Sequence, residues 1–169
     1  MIFKKNGDCK SEELDFLFEV YASSRLEEVE AWGWEENQIV QFLEMQFLCQ
    51  QRSYEIHYPN LQTIVIDYQS IKVGRLLLVE LDGKFIIVDI TILPSYQNKG
   101  IGTKIISNLL EKARERNKEV HLSVFYSNDK AKKLYERLGF RQVGMDQMYI
   151  HMERTCEQKE KEVVEDKYS

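Results

Sequence analysis

The feature that most constrains this chain is the passage from an apolar run, Phe85 to Leu93, through Pro94 and into Gln97, Asn98, Lys99, Gly100, Ile101 and Gly102. That stretch opens an amphipathic segment from Thr103 to Arg116. A strand stopped by proline and followed at once by a helical pattern leaves room for one tight, glycine-bearing turn at the helix start. There the first backbone N–H groups have no intrahelical acceptor, and the aligned peptide dipoles add partial positive charge. The turn is built to hold phosphate. Gly100 and Gly102 matter to it because a Cβ at either position would hold a phosphate away from the main chain.

What the turn lacks narrows the ligand. A P-loop needs lysine and then serine or threonine after its last glycine, whereas Gly102 is followed by Thr103 and Lys104. A dinucleotide fingerprint needs a third glycine three places after the second, and Ile105 stands there. What remains is Gln-x-x-Gly-x-Gly. A second segment carries Asn128, Ala131, Leu134, Tyr135, Gly139 and Phe140 in the pattern Asn-x-x-Ala-x-x-Leu-Tyr-x-x-x-Gly-Phe. One helix and one strand separate the two. In this order and at this separation they resemble the GNAT superfamily of acetyl-CoA-dependent N-acetyltransferases, in the form of a small, bacterial-type, single-domain member. The resemblance covers Lys72 to Glu153 closely and the N-terminal part by order of elements.

Elsewhere the periodicities are local and readable. Ile2 to Lys5 reads as a short strand. Leu14, Leu17, Phe18 and Tyr21 recur at helical spacing behind Ser11, and Ile39, Phe42, Leu43, Gln46, Phe47 and Gln50 form a second stripe that runs to about His57. Between them Ala31-Trp32-Gly33-Trp34 reads as a loop. Leu61 to Tyr68, Ile71 to Leu81 and Phe85 to Leu93 read as strands. Asp82-Gly83 predicts an antiparallel hairpin through a two-residue primed turn, and the unbroken apolar third strand predicts cover on both faces. After the glycine-turn helix come a parallel strand Val120 to Phe125, a helix Asp129 to Leu138 ended by Gly139, and a last strand Gln147 to Met152. The expected class is α/β (α+β), a mixed, mostly antiparallel central sheet of about 6–7 strands with about 4 helices. The resemblance implies the acyl-CoA N-acyltransferase fold.

Length and composition predict one domain over residues 1–154 followed by a charged, mobile tail, 155–169, since 169 residues with 43% apolar content suit a single core. A formal charge of -5 argues against nucleic acid or anionic membrane as partner and suits a cationic acceptor. Cys9, Cys49 and Cys156 are odd in number and far apart, and His57, His121 and His151 are scattered, so neither a disulfide framework nor a metal is expected. The opening MIFKKNGDCK lacks the apolar stretch of a signal peptide, which makes the cytoplasm the default compartment. The oligomeric state is open, a homodimer included.

Amine acetylation sets two chemical requirements. An alkylammonium with a pKa of about 10.4 must lose a proton at pH 7, at a cost of about 4–5 kcal/mol, and a thiolate must leave. For the second, the resemblance implies that Tyr135 points its hydroxyl at the coenzyme sulfur as general acid or hydrogen-bond donor; the same residue also fits an ordinary buried stripe with Ala131, Leu134 and Leu138. For the first, some relatives in the family carry a glutamate where this chain has Ser123, which cannot do that work directly. Asp89, the lone charge in the run 85–93, is the alternative, acting through water or serving as a structural carboxylate; Glu80, His121 and Tyr126 follow it.

The remaining contacts come from the resemblance. It implies acetyl-CoA as cofactor, with pyrophosphate on the amides of Gln97, Asn98, Lys99, Gly100, Ile101, Gly102 and Thr103, and the pantetheine arm on Ile92, Leu93 and Asn128. It also implies an acceptor wall from the first helices, which brings in Trp32, Trp34 and Glu35; as residues alone the tryptophans are more often hydrophobic anchors and Glu35 an ordinary acidic helix start. The acceptor would be a small-molecule or protein amine. A catalytically silent acetyl-CoA-binding regulatory module is the competing reading.

Overall fold

The structure is a computed structural model, and it describes residues 2–5, by backbone alone, and residues 11–156. Residues 6–10, Cys9 among them, and residues 157–169 of the expected tail lie outside the described residues. The elements run β1 (Ile2–Lys5), α1 (Ser11–Ser23), α2 (Leu26–Glu30), α3 (Glu36–His57), β2 (Leu61–Tyr68), β3 (Ile71–Leu81) and β4 (Lys84–Ile92). After a single 3-10 turn, Pro94–Tyr96, come α4 (Ile101–Glu115), β5 (Glu119–Phe125), α5 (Asp129–Arg137), β6 (Arg141–Met145) and β7 (Tyr149–Arg154). The strands form one sheet in the order β1-β2-β3-β4-β5-β7-β6. β4 and β5 pair in parallel, from Lys84↔Glu119 to Ile87↔Leu122, across the α4 crossover. The pairs β1–β2, β2–β3, β5–β7 and β6–β7 are antiparallel. The expected mixed, mostly antiparallel sheet is what forms.

By contacts the chain divides into two compact units, Met1–Val79 with Asp89–Ile101, and Glu80–Val88 with Gly102–Ser169. In the first, the stripes read from the sequence close on one another except at Leu14, which is 44% exposed: Leu17, Tyr21, Val29, Ile39, Leu43 and Phe47 form one apolar cluster, and Phe47 meets the rings of Phe18 and Tyr21 at 5.6 and 5.5 Å. Val29 reaches that cluster from α2, a short helix to which the sequence reading assigned no element. Each such buried aliphatic side chain contributes about 1.5–3 kcal/mol. In the second unit, α4 buries Ile105, Ile106, Leu109 and Ala113, while β5 and β7 bury Val120, Leu122, Val124, Ile150 and Met152. α5 ends as expected, with Gly139 at φ +83°.

Three expectations are corrected. β4 is not covered on both faces: Phe85 and Ile87 are buried, and the strand is half-buried from Val88 to Ile92. Only Gly83 of the Asp82-Gly83 pair has positive φ, +78°, so the β3–β4 connection is not the type I′ turn that requires it at both residues. The last strand starts at Tyr149 rather than Gln147, because Asp146 Oδ1 accepts the main-chain N–H groups of Met148 and Tyr149, both at 2.8 Å, and holds that stretch in a turn. β6, unanticipated, is an edge strand whose residues are nearly all exposed, which leaves no alternation to read.

Candidate functional site

The turn after β4 has the local geometry its sequence requires. Gln97 Nε2 donates to the Ile92 carbonyl at 2.9 Å, and the Leu93 N–H donates to the Val73 carbonyl at 2.8 Å. The Leu93 carbonyl accepts from the Tyr96 N–H at 2.9 Å, so both main-chain groups of Leu93 serve the protein's own structure. Asn98 and Gly100 take positive φ, +61° and +74°, and the chain enters α4 at Ile101, which is buried beneath its first turn. Gln97 to Gly100 are exposed, and Lys99 Nζ lies 5.4 Å from the centre of the Tyr96 ring. Gly102 is different from Gly100. It sits inside α4, its φ is not positive, and a Cβ added there would meet nothing within 4 Å. A helical glycine is less stable than alanine by about 0.5–1 kcal/mol, and nothing in the protein's own packing asks for it.

Asn128 takes the N-cap of α5 as its residue type favours, its Oδ1 accepting from the Ala131 N–H at 3.1 Å. Two turns later Tyr135 is buried, and its ring meets Phe140 edge-to-face at 5.9 Å. The left-handed Gly139 turns the chain so that Phe140 can reach back, and the Phe140 N–H donates to the Tyr135 carbonyl at 3.0 Å. The hallmark Leu-Tyr-x-x-x-Gly-Phe is thus a device that fixes the tyrosine ring.

Asp89 does not stand alone. Its Oδ2 accepts from Arg75 Nε and from Thr91 Oγ1, each at 3.0 Å, and Arg75 Nη2 donates to Gln50 Oε1 at 3.1 Å. The Arg75 side chain is 4% exposed and that of Asp89 30%. Arg75 went unnoticed in the sequence, where the signal was one cation inside VGRLLLV and one anion inside the next apolar run. Glu80 is held by Lys118 Nζ at 2.9 Å and Arg116 Nη1 at 2.7 Å, and the Lys118 hydrogen bond foremost keeps its carboxyl below the ordinary range. Tyr126 is exposed beside the Phe125 ring. His121 Nε2 lies 2.8 Å from Glu119 Oε2 and 4.0 Å from Glu153 Oε2, while Arg141 Nη2 is 2.9 Å from Glu153 Oε1. His121 and the two carboxylates lie within the span of one cation, and Arg141 already supplies a positive charge to Glu153. Ser123, on β5, bonds His151 on β7 through Oγ and Nδ1 at 2.8 Å.

Trp32 and Trp34 join Phe42 in a three-ring cluster, with centroids 5.2 to 5.5 Å apart and both indoles nearly half exposed. Glu35 is the N-cap of α3, where its own N–H donates to Gln38 Oε1 at 3.1 Å. A separate cavity of about 290 Å³ lies against α4, β5 and β7, lined by Leu110, Ala113, Lys118, Leu138, Arg154 and Cys156 among others. Among the described residues no helix is long and apolar enough to cross a membrane.

Comparison with known proteins agrees with the two hallmarks. N-alpha-acetyltransferase RimI of Mycobacterium tuberculosis is 39% identical over 59 residues, 35% of this chain; the chain spans 36% of the length of that curated relative. The PaiA N-acetyltransferase of Thermoplasma acidophilum, crystallised in complex with coenzyme A, superposes with a TM-score of 0.63 at 19% identity, over 92% of this chain and 99% of that one. The ribosomal-protein-S18-alanine N-acetyltransferase of Escherichia coli gives 0.62 at 13% identity, over 92% and 93%. At such identities these structures share the fold. The family model of the acetyltransferase (GNAT) family matches residues 17–140, which takes in the glycine turn, the Asn128 cap and Tyr135, and the chain belongs to that family.

Proposed function

We propose that the protein transfers the acetyl group of acetyl-CoA to a primary amine, of a small molecule or a protein, by direct attack in a ternary complex. The observation that carries this reading is Gly102, a helical glycine with open space at its Cβ position, next to the positive-φ Gly100 in an exposed turn. A main chain bared at a helix start fits a diphosphate. Bound acetyl-CoA supplies the activated acetyl group. In this reading the amides of Asn98 to Thr103 hold its pyrophosphate, the Gln97 N–H being already donated to the Pro94 carbonyl at 3.2 Å, and Ile92, Leu93 and Asn128 border the pantetheine arm. For Asn128 the available group is the side-chain amide nitrogen, because Oδ1 caps α5. Tyr135, its ring fixed by Phe140, holds a phenolic proton for the leaving sulfur.

The acceptor side is assigned to the surface bearing Trp32 and Trp34, whose half-exposed indole faces suit an ammonium. Glu35 adds negative charge there. Asp89 is engaged by Arg75 and Thr91, and we assign it the task of fixing Arg75 in β3 rather than the amine's proton. The test is release of free thiol from acetyl-CoA with a panel of primary amines, polyamines and peptides with free α-amino groups. Turnover with at least one amine is expected. Binding of CoA with no turnover on any amine would assign the silent regulatory module instead.

A further inference from the structure

Ser123, His151 and Asp146 form a hydroxyl–imidazole–carboxylate chain, within the same unit as Tyr135. The β5–β7 register sets Ser123 directly opposite His151, so the two side chains leave the same face, and Oγ lies 2.8 Å from Nδ1. Across the ring, Nε2 lies 3.2 Å from Asp146 Oδ2. Asp146 is fixed in turn, since its Oδ1 accepts the N–H groups of Met148 and Tyr149. Those bonds, Met148 first, hold its carboxyl below the ordinary range, so it is an anion wherever imidazole titrates. Between an anion and a hydroxyl the ring has one favourable arrangement: Nε2–H donated to Asp146, and the Nδ1 lone pair accepting the Ser123 hydroxyl proton. Among the described residues no other histidine has both parts: His57 meets Ser53 and its carbonyl, and His121 meets two carboxylates.

We propose that this chain takes the proton of the acceptor amine. The ammonium gives one proton to Ser123 Oγ while Oγ passes its own to His151 Nδ1, and Asp146 steadies the imidazolium, which then returns the proton to water. One N–H bond breaks and one forms, and the serine hydroxyl is restored. The proposal rests on the acetyltransferase reading above and names the base of that site. It also gives Ser123 a function that serine alone cannot perform. Ser123 is exposed and the His151 side chain is 44% exposed, so an amine can reach Oγ and the proton can leave. The other groups facing the ring are few. Gly144 of β6 packs on it, and two residues along the strands stand Glu153 with His121 and Arg141 on one side and Tyr149 on the other.

The experiment follows thiol release against pH, with acetyl-CoA and with spermidine and an alanine-terminated peptide as probe amines, for wild type, His151→Gln, Ser123→Ala and the double variant His151→Gln, Ser123→Glu. Wild type should gain rate along a pH limb that depends on His151; His151→Gln and Ser123→Ala should lose about a hundredfold in kcat and lose that limb, with CoA affinity and Tm unchanged. The double variant, with a carboxylate in direct reach, should recover part of the rate with its limb moved to the carboxylate range. An unchanged rate and limb in His151→Gln would overturn the proposal while leaving the acetyltransferase reading standing. No turnover by wild type with either amine would refute the relay for those acceptors; no turnover on the whole panel would remove the acetyltransferase reading as well. A nitrogen-15 spectrum of the imidazole tests the geometry without turnover: the Nε2–H tautomer is expected, and the Nδ1–H tautomer would overturn the relay.

Discussion

Substituting alanine for Gly102 separates a structural glycine from one that exists for a ligand. Outside its chain neighbours and the backbone of its own helix the added Cβ meets no atom within 4 Å, and the backbone there is already helical, so the substitution introduces no clash and no strain. Alanine in place of a helical glycine stabilises by up to about 1 kcal/mol, which for a chain of this size raises Tm by about 1–4 °C. The same methyl group stands over the amides assigned to the diphosphate. Weakening one hydrogen bond to a charged group costs about 1.5–3 kcal/mol, or about 10- to 100-fold in Kd. Gly102→Ala should therefore be more stable than wild type and a poorer binder of CoA, read by thermal unfolding and by calorimetric titration. A variant that is more stable and binds CoA as tightly as wild type would refute the reasoning.

Other consequences are as specific. Tyr135→Phe should lower kcat at saturating substrates while leaving CoA affinity within about twofold, because only the hydroxyl is removed and the ring keeps its contact with Phe140; equal kcat in stopped-flow thiol release would remove the assignment. Arg75→Met should destabilise by about 2 kcal/mol in urea, since Asp89 loses its partner in a partly dry setting, and adding Asp89→Asn should recover part of that loss. For Glu80 the folded-state pKa lies below its ordinary 4.5, so its ion pairs stabilise above that value and the contribution is lost as pH falls through the folded pKa. The stability difference between wild type and Glu80→Gln should hence shrink below about pH 4.5 in chemical denaturation. Fluorescence of Trp32 and Trp34 and far-ultraviolet circular dichroism should report one coincident transition if residues 1–154 fold as a single domain.

What the sequence makes visible here is what is local. The glycine turn and the Gly139 stop of α5 each depend on residues a few positions apart, and each is where it was expected. The α1 and α3 stripes were legible because burial repeats with the helical period. Pairing across strands was not. Arg75 and Asp89 are 14 positions apart on different strands, and Ser123 and His151, 28 apart, are joined by the β5–β7 ladder register, which depends on turns and bulges elsewhere. His121 looked isolated for the same reason, although the ladder brings Glu153 opposite it. β6 escaped notice because an edge strand with no buried face leaves no alternation, and α2 because five residues hold barely one turn.

The most direct measurement is a titration of the isotope-labelled protein with coenzyme A, following backbone amide resonances one by one. The account predicts saturable, one-to-one shifts that are largest at residues 97 to 103. Shifts centred instead on the cavity near Cys156, or no shifts at millimolar coenzyme A, would contradict it.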